Sequence, residues 1–222
     1  MSINSFLVKR LKISHKKASQ LIDASHIFID DLPAIQKQFI SDLNTIVYNA
    51  NVLQQSKVLF YYAYYKPVGV ESTMNINISN NLVVSSGLEQ SFFPVGRLDK
   101  ASEGLMILTN DGLLYKHIFD DENSIEKVYE VEVDYEITSN FLEQLSTGVL
   151  IMGKHTKSCK VKKMETHKFE ITLLEGRNRQ IRRMCYKLGY EVVSLKRIAI
   201  SKLKLDDLKT GQIKQINKKQ IV

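Results

Sequence analysis

A chain of 222 residues with 44% hydrophobic and 25% charged residues has material for a buried core, which excludes wholesale disorder. Its longest apolar or aromatic run has eight residues, too few for a membrane span, and its N-terminus lacks a secretory signal pattern, so we expect a cytoplasmic protein without a membrane partner. The formal net charge of +7 permits a polyanionic partner but does not require one.

Residues 1–50 show the pattern of a small domain with two helices and a short sheet. Ser14 is placed as the N-cap of the second helix, which repeats apolar residues at i, i+3 and i+4. Strands are predicted at residues 26–29 and 45–48, and the first ends at a turn-forming aspartate pair. The next residues, 51–57, are polar and without periodicity, which predicts a linker.

The rest of the chain, residues 58–222, predicts a second domain in which strands and helices follow one another in mixed order. Strands are predicted at 58–65, 104–109, 127–134, 160–164, 169–174 and 191–200, and helices at 113–118, from Thr138 or Ser139 onward, and at 177–188. This order favours an α+β fold over regular βαβ winding.

The basic residues are concentrated at the C-terminal end. Net charge is +2 in residues 1–55, −8 in 56–153 and +13 in 154–222. Such an excess suits a phosphate backbone, and a lysine-rich solvated surface explains it equally well from composition alone. The two cysteines, Cys159 and Cys185, form neither a disulfide framework nor a zinc-binding pattern.

Three motifs follow one another in the second domain. Residues 96–112 read GRLDKASEGLMILTNDG, residues 127–129 read KVY, and residues 177–184 read RNRQIRRM. In sequence and order they resemble the first, second and third motifs of the pseudouridine synthases. The stretches 66–69 and 153–163 point to the RsuA branch of that superfamily, and within it the likeness is greatest to RluF-type synthases, which act on large-subunit ribosomal RNA.

The resemblance covers nearly the whole chain. It implies a catalytic domain at residues 58–222, with a mixed, mainly antiparallel sheet flanked by helices and loops. The implied reaction isomerises one uridine of RNA to pseudouridine, in a 23S rRNA stem-loop first and in transfer RNA as a further substrate. The family acts as a monomer and needs no cofactor and no metal, because bond breaking and bond making balance without redox change. Neither DNA nor a membrane is an implied partner.

The resemblance assigns catalytic roles to Asp99, Tyr129 and Arg182. The reaction breaks the N1–C1′ bond, so Asp99 would be either a nucleophile toward C1′ or a base toward the 2′ proton, and both routes stay open. Arg182 corresponds to the family arginine that pairs with the aspartate and favours its charged form. Tyr129 would pack against the base or sugar and offer a phenol. Arg97 resembles the arginine that fills the space vacated by the flipped uridine.

Further basic residues are candidates for contact with RNA. The full set of predicted RNA-binding residues is Arg97, Lys66, Lys127, Arg179, Arg183, Lys16 and Lys17. Each site residue also has an ordinary structural alternative, such as a turn for Asp99, cross-strand packing for Tyr129 or a solvated helix face for Arg182. The surrounding motifs favour function for these three and for Arg97, whereas Lys66, Lys127 and Arg179 are evenly balanced between structure and phosphate contact.

The first domain resembles the small RNA-binding domain first known from ribosomal protein S-four. The family's arginine-rich helix start is Ser14–Ala18 here, which keeps positive charge without the bidentate arginine fork. Ser25 stands where the family has glycine, and Asp30-Asp31 replaces its Asn-Gly turn. These departures bring RNA binding by this domain into question more than they do its fold.

Two other functions are compatible with an RNA-binding fold. A non-catalytic ribosome-assembly factor would bind RNA without changing it, although binding alone does not require Asp99, Tyr129 and Arg182 together. A base-excising glycosidase would share base flipping. Mass spectrometry separates it from an isomerase, because isomerisation leaves the mass of the RNA unchanged and loss of a base does not.

Overall fold

The computed structural model describes residues 1–119 and 125–222, and the chain divides after Leu59 into an N-terminal unit, Met1–Leu59, and a C-terminal unit, Phe60–Val222. Both units combine helices with a sheet, as the α+β prediction requires. Within the described ranges, no helix is both long enough and apolar enough to cross a membrane.

In the N-terminal unit two helices pack against a four-stranded antiparallel sheet. Its elements are α1 (Ile3–Leu11), α2 (His15–Asp23), β1 (Ile27–Ile29), β2 (Leu32–Pro33), β3 (Ile46–Tyr48) and β4 (Asn51–Gln54), with strand order β2-β1-β3-β4. Ser14 caps α2 as predicted, because its side chain accepts a hydrogen bond of 3.2 Å from the backbone N–H of Lys17. The predicted apolar face joins one core that includes Ala18, Leu21, Ile22, Ile27 and Ile29.

The turn between β1 and β2 consists of two aspartates in the left-handed conformation, with φ of 49° at Asp30 and 68° at Asp31. The Asp30 carboxylate accepts hydrogen bonds from the Asn44 side chain at 2.7 Å and from the Thr45 backbone N–H at 2.8 Å. These hydrogen bonds lower the pKa of Asp30. The side chain of Asp30 therefore offsets part of the steric cost of a left-handed residue with a Cβ.

Replacement of Asp31 by glycine is expected to raise the free energy of unfolding by about 0.5 kcal/mol, because glycine adopts φ of 68° without a Cβ clash but loses more chain entropy on folding. Denaturant unfolding of the purified protein measures this change. Asp30→Gly is the matched control: it relieves the same clash but removes two hydrogen bonds, so it is expected to give no gain. Equal stabilisation by both variants would contradict this account of the turn.

The predicted linker at 51–57 is wrong for its first four residues, which form β4. Asn49 and Ala50 adopt left-handed φ values of 46° and 65° and make a two-residue turn, after which β4 pairs antiparallel with β3. Sequence inspection missed the hairpin because its turn contains no glycine.

One nine-stranded sheet forms the centre of the C-terminal unit, and its strand order is β11-β12-β8-β13-β7-β5-β15, with β14 paired to β13 and β6 to β7. The elements are, in chain order, β5 (Tyr61–Lys66), α3 (Leu82–Ser86), β6 (Phe93–Val95), β7 (Glu103–Thr109), α4 (Gly112–Phe119), β8 (Lys127–Val133), α5 (Ser139–Thr147), β9 (Leu150–Ile151), β10 (Lys154–His155), β11 (Lys160–Lys163), β12 (Lys168–Leu173), α6 (Gln180–Lys187), β13 (Val192–Ile200), β14 (Leu203–Lys204), β15 (Ile213–Ile216) and a 3-10 turn (Lys218–Gln220). A separate hairpin is made by β9 and β10.

The sheet is mixed and mainly antiparallel, as predicted. Its parallel pair is β7 with β13, where Glu103 lies opposite Lys196 and Gly104 opposite Arg197. Every residue of β7 after Glu103 is buried, whereas β8 alternates buried and partly exposed residues as its sequence pattern predicts. The parallel pair places the start of β7 beside the middle of β13.

Two elements begin three residues later than predicted. The strand predicted at 58–65 begins only at Tyr61, and the helix predicted at 177–188 begins at Gln180. The helix starts late because the backbone of Arg179 is left-handed, with φ of 51°. Arg179 is the last residue of a loop that hydrogen bonds of the Gln180 side chain close. Gln180 accepts a hydrogen bond from the Arg177 N–H and donates one to Glu175.

Candidate active site

A cavity of about 540 Å³ brings the three sequence motifs together. Its walls include residues 96–102, here called the aspartate loop, residues 71–73, strand β8, strand β13 and the loop leading into α6. The charged and aromatic residues that line it include Arg97, Asp99, Lys127, Tyr129, Arg179 and Arg197. Its volume lies within the range of about 300–1,000 Å³ that is typical of small-molecule pockets.

Hydrogen bonds hold the aspartate loop on both sides of Asp99. The Ser72 hydroxyl donates to the carbonyl of Leu98 at 2.6 Å and accepts from the N–H of the same residue at 3.1 Å. On the other side, the N–H of Gly69 donates to the carbonyl of Lys100 at 2.8 Å. Sequence inspection missed Ser72, because it begins a stretch rich in serine and asparagine that gives no sign of this contact.

Lys66 is buried at the end of β5, and its ammonium group donates to the carbonyls of Pro67 at 2.8 Å and Val70 at 2.7 Å. Burial lowers its pKa to about 8, although the nearby carboxylates of Asp99 and Glu103 oppose this shift. At neutral pH Lys66 therefore carries a positive charge close to Asp99. Of the two roles left open for Lys66, the structure favours the structural one, because the side chain is enclosed and fixes the chain segment that supports the aspartate loop.

Asp99 is 27% exposed, and its Oδ2 lies 3.9 Å from Nη1 of Arg179. The predicted ion pair between Asp99 and Arg182 is wrong: Arg182 instead donates to the carbonyls of Ala101 at 2.8 Å and Val192 at 2.9 Å. Burial and, to a smaller extent, the positive charge of Arg179 lower the pKa of Arg182, whereas the negative charge of Asp99 raises it. Asp99 and Arg182 are therefore near enough to interact electrostatically and lie on the same side of the molecule. Arg182 acts on the site by tying the aspartate loop to β13.

Tyr129 on β8 lies directly opposite Arg197 on β13 and is 8% exposed. Arg197 is 1% exposed and donates to the carbonyls of Leu105 at 2.7 Å and Gly96 at 2.6 Å. Burial lowers its pKa, and interaction with the Tyr129 hydroxyl opposes the shift. We did not predict a role for Arg197 from sequence; the available signal was an arginine inside the apolar strand Val192–Ile200.

The other predicted RNA contacts differ in accessibility. Lys127 is 5% exposed, lines the cavity and donates to the carbonyl of Ile125 at 3.1 Å. The remaining candidates keep accessible side chains: Arg97, Arg179 and Arg183 in the C-terminal unit, and Lys16 and Lys17 on α2. Within the described part of the chain, histidine, cysteine and carboxylate side chains form no cluster of three that could hold a metal ion.

Comparison with known proteins agrees with this geometry. A family model described as RNA pseudouridylate synthase matches residues 60–187. The dual-specificity RNA pseudouridine synthase RluF of Escherichia coli (strain K12) is 35% identical over 222 residues, covering 99% of this chain and 77% of the relative. The ribosomal large subunit pseudouridine synthase B of Bacillus subtilis (strain 168) is 32% identical over 169 residues, covering 72% and 69%.

A solved structure described as a pseudouridylate synthase superposes with a TM-score of 0.70 at 24% identity, covering 100% of this chain and 98% of the other, which shows a common fold. The family match takes in the aspartate loop, strand β8 and the whole of α6, and all three meet at the cavity. This chain therefore belongs to the RNA pseudouridine synthases, in the RluF-type group of the RsuA family.

Proposed function

We propose that this chain isomerises a uridine of large-subunit ribosomal RNA to pseudouridine, with Asp99 acting on the ribose of that nucleotide. The observation that carries the proposal is the meeting of Asp99, Arg179 and Tyr129 in one cavity of about 540 Å³. A uridine can reach Asp99 only after it leaves the stack of bases, so the proposal includes base flipping.

The reaction requires a carboxylate beside the ribose of the uridine. The N1–C1′ bond breaks, the freed uracil turns, C5 bonds to C1′, and the hydrogen on C5 is replaced by one on N1, so atoms and electrons balance without a cofactor. Asp99 starts this sequence either by adding to C1′ or by removing the 2′ proton. Arg179 supplies the countercharge at 3.9 Å from the carboxylate.

Other residues hold the substrate. Tyr129 packs against the base or sugar and offers its phenol, and the buried charge of Arg197 lies beside it on the neighbouring strand. Arg97 is exposed at the cavity, where its guanidinium can stack in the space that the uridine leaves. Lys16 and Lys17 would bind RNA phosphates through an N-terminal domain of the ribosomal protein S-four type.

The substrate class follows from the relatives. The name of the Bacillus subtilis protein specifies the large ribosomal subunit, and that of the Escherichia coli protein specifies dual specificity. These names support large-subunit ribosomal RNA, specifically a 23S rRNA stem-loop, as the proposed first substrate and a second RNA beside it. From the family resemblance we propose that the second substrate is transfer RNA and that the enzyme acts as a monomer.

Pseudouridine mapping tests the proposal. Ribosomal and transfer RNAs from the host are mapped with and without the gene, and the purified protein is then incubated with RNA from cells that lack it. We expect one or a few uridines to convert, with the mass of the RNA unchanged. Binding without any new pseudouridine would support the assembly factor instead, and loss of uracil mass would support a glycosidase.

Ser72 gives a prediction about positioning. Ser72→Ala removes both hydrogen bonds to Leu98, so Asp99 is expected to lose its exact placement and kcat to fall by about tenfold or more, with KM changed much less. Steady-state kinetics on the mapped RNA measures both constants. Ser72→Thr keeps the hydroxyl and should restore kcat, and the exposed Ser158→Ala is the matched control. An unchanged kcat in Ser72→Ala would show that the clamp formed by the two hydrogen bonds between Ser72 and Leu98 is dispensable.

A further inference from the structure

A second cavity, of about 590 Å³, lies along the outer face of α6. The helical side of its lining repeats at i, i+3, i+4, i+7 and i+8, with Arg179, Arg182, Arg183, Tyr186 and Lys187. The opposite face of α6 is buried through Ile181, Met184 and Cys185. Met152, in the turn between β9 and β10, also lines the cavity. The polar face of α6 thus borders a hollow in the surface.

The charge of this face is one-sided. The cavity lining contains four cationic side chains and one carboxylate, Glu191, and α6 itself contains no acidic residue. Between described residues, no salt bridge involves Arg182, Arg183 or Lys187, although exposed helix faces are usually stabilised by pairs of opposite sign. Among the buried side-chain nitrogen and oxygen atoms of the described residues, Nε of Arg182 is the one without a hydrogen-bond partner. This surface is suited to an anion.

The same cavity offers flat and polarisable apolar groups. Tyr186 is 71% exposed and Met152 is 66% exposed, so both present side chains that the fold does not use for packing. The Arg183 guanidinium donates two hydrogen bonds to Asn178, in the loop before α6, and these fix its position. Exposed aromatic rings among fixed cations are the combination that binds single-stranded nucleic acid, since bases stack on the rings and phosphates meet the cations.

Arg179 connects the two cavities. It lines both of them, and its guanidinium lies 3.9 Å from Asp99. A nucleotide next to the target uridine would therefore reach the second cavity while the uridine occupies the first. We infer that this cavity is a subsite for a nucleotide flanking the target uridine, with its base on Tyr186 and its phosphate on Arg183 and Lys187. The inference rests on the proposed function and adds a second contact to it.

Equilibrium binding of RNA tests the stacking contact. A stem-loop containing the mapped uridine is titrated against protein that carries Asp99→Asn, so that no turnover occurs, and binding is followed by fluorescence anisotropy. Adding Tyr186→Ala is expected to weaken binding at least about fivefold, because one stacked base is lost. Tyr135→Ala is the matched control, since Tyr135 is 63% exposed and does not line the cavity.

Abasic RNAs identify what lies on Tyr186. Two stem-loops are made, and each lacks the base of one of the two nucleotides that flank the uridine. At one of these positions removal is expected to weaken binding to the parent protein, and Tyr186→Ala should then cause no further loss. If the two changes are additive at every position, no flanking base stacks on Tyr186 and the inference is overturned.

Salt dependence tests the phosphate contact. Arg183→Gln with Lys187→Gln is expected to flatten the slope of log K against log salt by about 0.7, the value for one phosphate of a single strand. The exposed pair Lys209→Gln with Lys214→Gln is the control. An unchanged slope in the first pair would overturn the inference even if the uridine is still isomerised. If the wild-type protein isomerises no uridine, the proposed function fails and this subsite fails with it.

Discussion

Replacement of Asp99 by asparagine is expected to slow conversion of uridine to pseudouridine by at least about a thousandfold, or ~4 kcal/mol of activation free energy. Asparagine keeps the shape of the side chain but neither adds to C1′ nor removes a proton. The carboxylate is 27% exposed and its ion pair with Arg179 is long, at 3.9 Å, so the substitution removes little packing. Single-turnover conversion of the mapped RNA, followed by pseudouridine detection, measures the rate.

The affinity of the Asp99→Asn variant for RNA is the internal control for this experiment. We expect it to stay within about twofold of the wild-type value, because the chemical step and the binding of RNA depend on different contacts. Asp207→Asn, at an exposed position of the same unit, makes the same change of charge away from the cavity and should leave the rate unaltered. Full activity in Asp99→Asn would remove the aspartate from the mechanism.

Replacement of Gly104 by alanine is expected to destabilise the protein by about 3 kcal/mol or more, or to prevent its folding. A Cβ at this position would lie 2.3 Å from the carbonyl oxygen and 2.6 Å from the nitrogen of Arg197, both of which are backbone atoms. Gly104 also has φ of 108°, which a residue with a side chain rarely adopts. The clash falls in the parallel pairing of β7 with β13, beside the cavity. Thermal unfolding and the yield of soluble protein measure the effect.

Gly112→Ala is the matched control, because this residue begins α4 and, apart from its chain neighbours and the backbone of its own helix, no atom of the described residues lies within 4 Å of a Cβ at Gly112. Alanine is favoured over glycine in helices by up to about 1 kcal/mol, so this variant should be as stable as the wild type or slightly more stable. If Gly104→Ala and Gly112→Ala unfold at the same temperature, the close approach of β7 to β13 is not required by the fold.

Local sequence patterns were sufficient for much of the architecture. The cap at Ser14 and the alternation of β8 were confirmed, because each depends on residues that are near neighbours along the chain. The glycine, aspartate, tyrosine and arginine motifs predicted the family, which the match over residues 60–187 confirms.

Tertiary packing decided which charged groups contact one another. The sequence offered several arginines in one short motif, and only the left-handed backbone at Arg179 and the late start of α6 bring that side chain to Asp99 while Arg182 binds backbone carbonyls. Burial likewise turned Lys66 from a candidate phosphate contact into a support for the aspartate loop, and it placed Arg197 beside Tyr129.

The amino-acid sequence by itself determined the family, the order of most helices and strands, and the motifs that contain the candidate site residues, because motifs and periodicity are local properties of the chain. The ion pair of the aspartate, the clamp by Ser72 and the second cavity on α6 were decided by the tertiary structure alone. Each depends on atoms distant in sequence, whose approach is fixed by strand register and by backbone conformations that residue types only weakly predict.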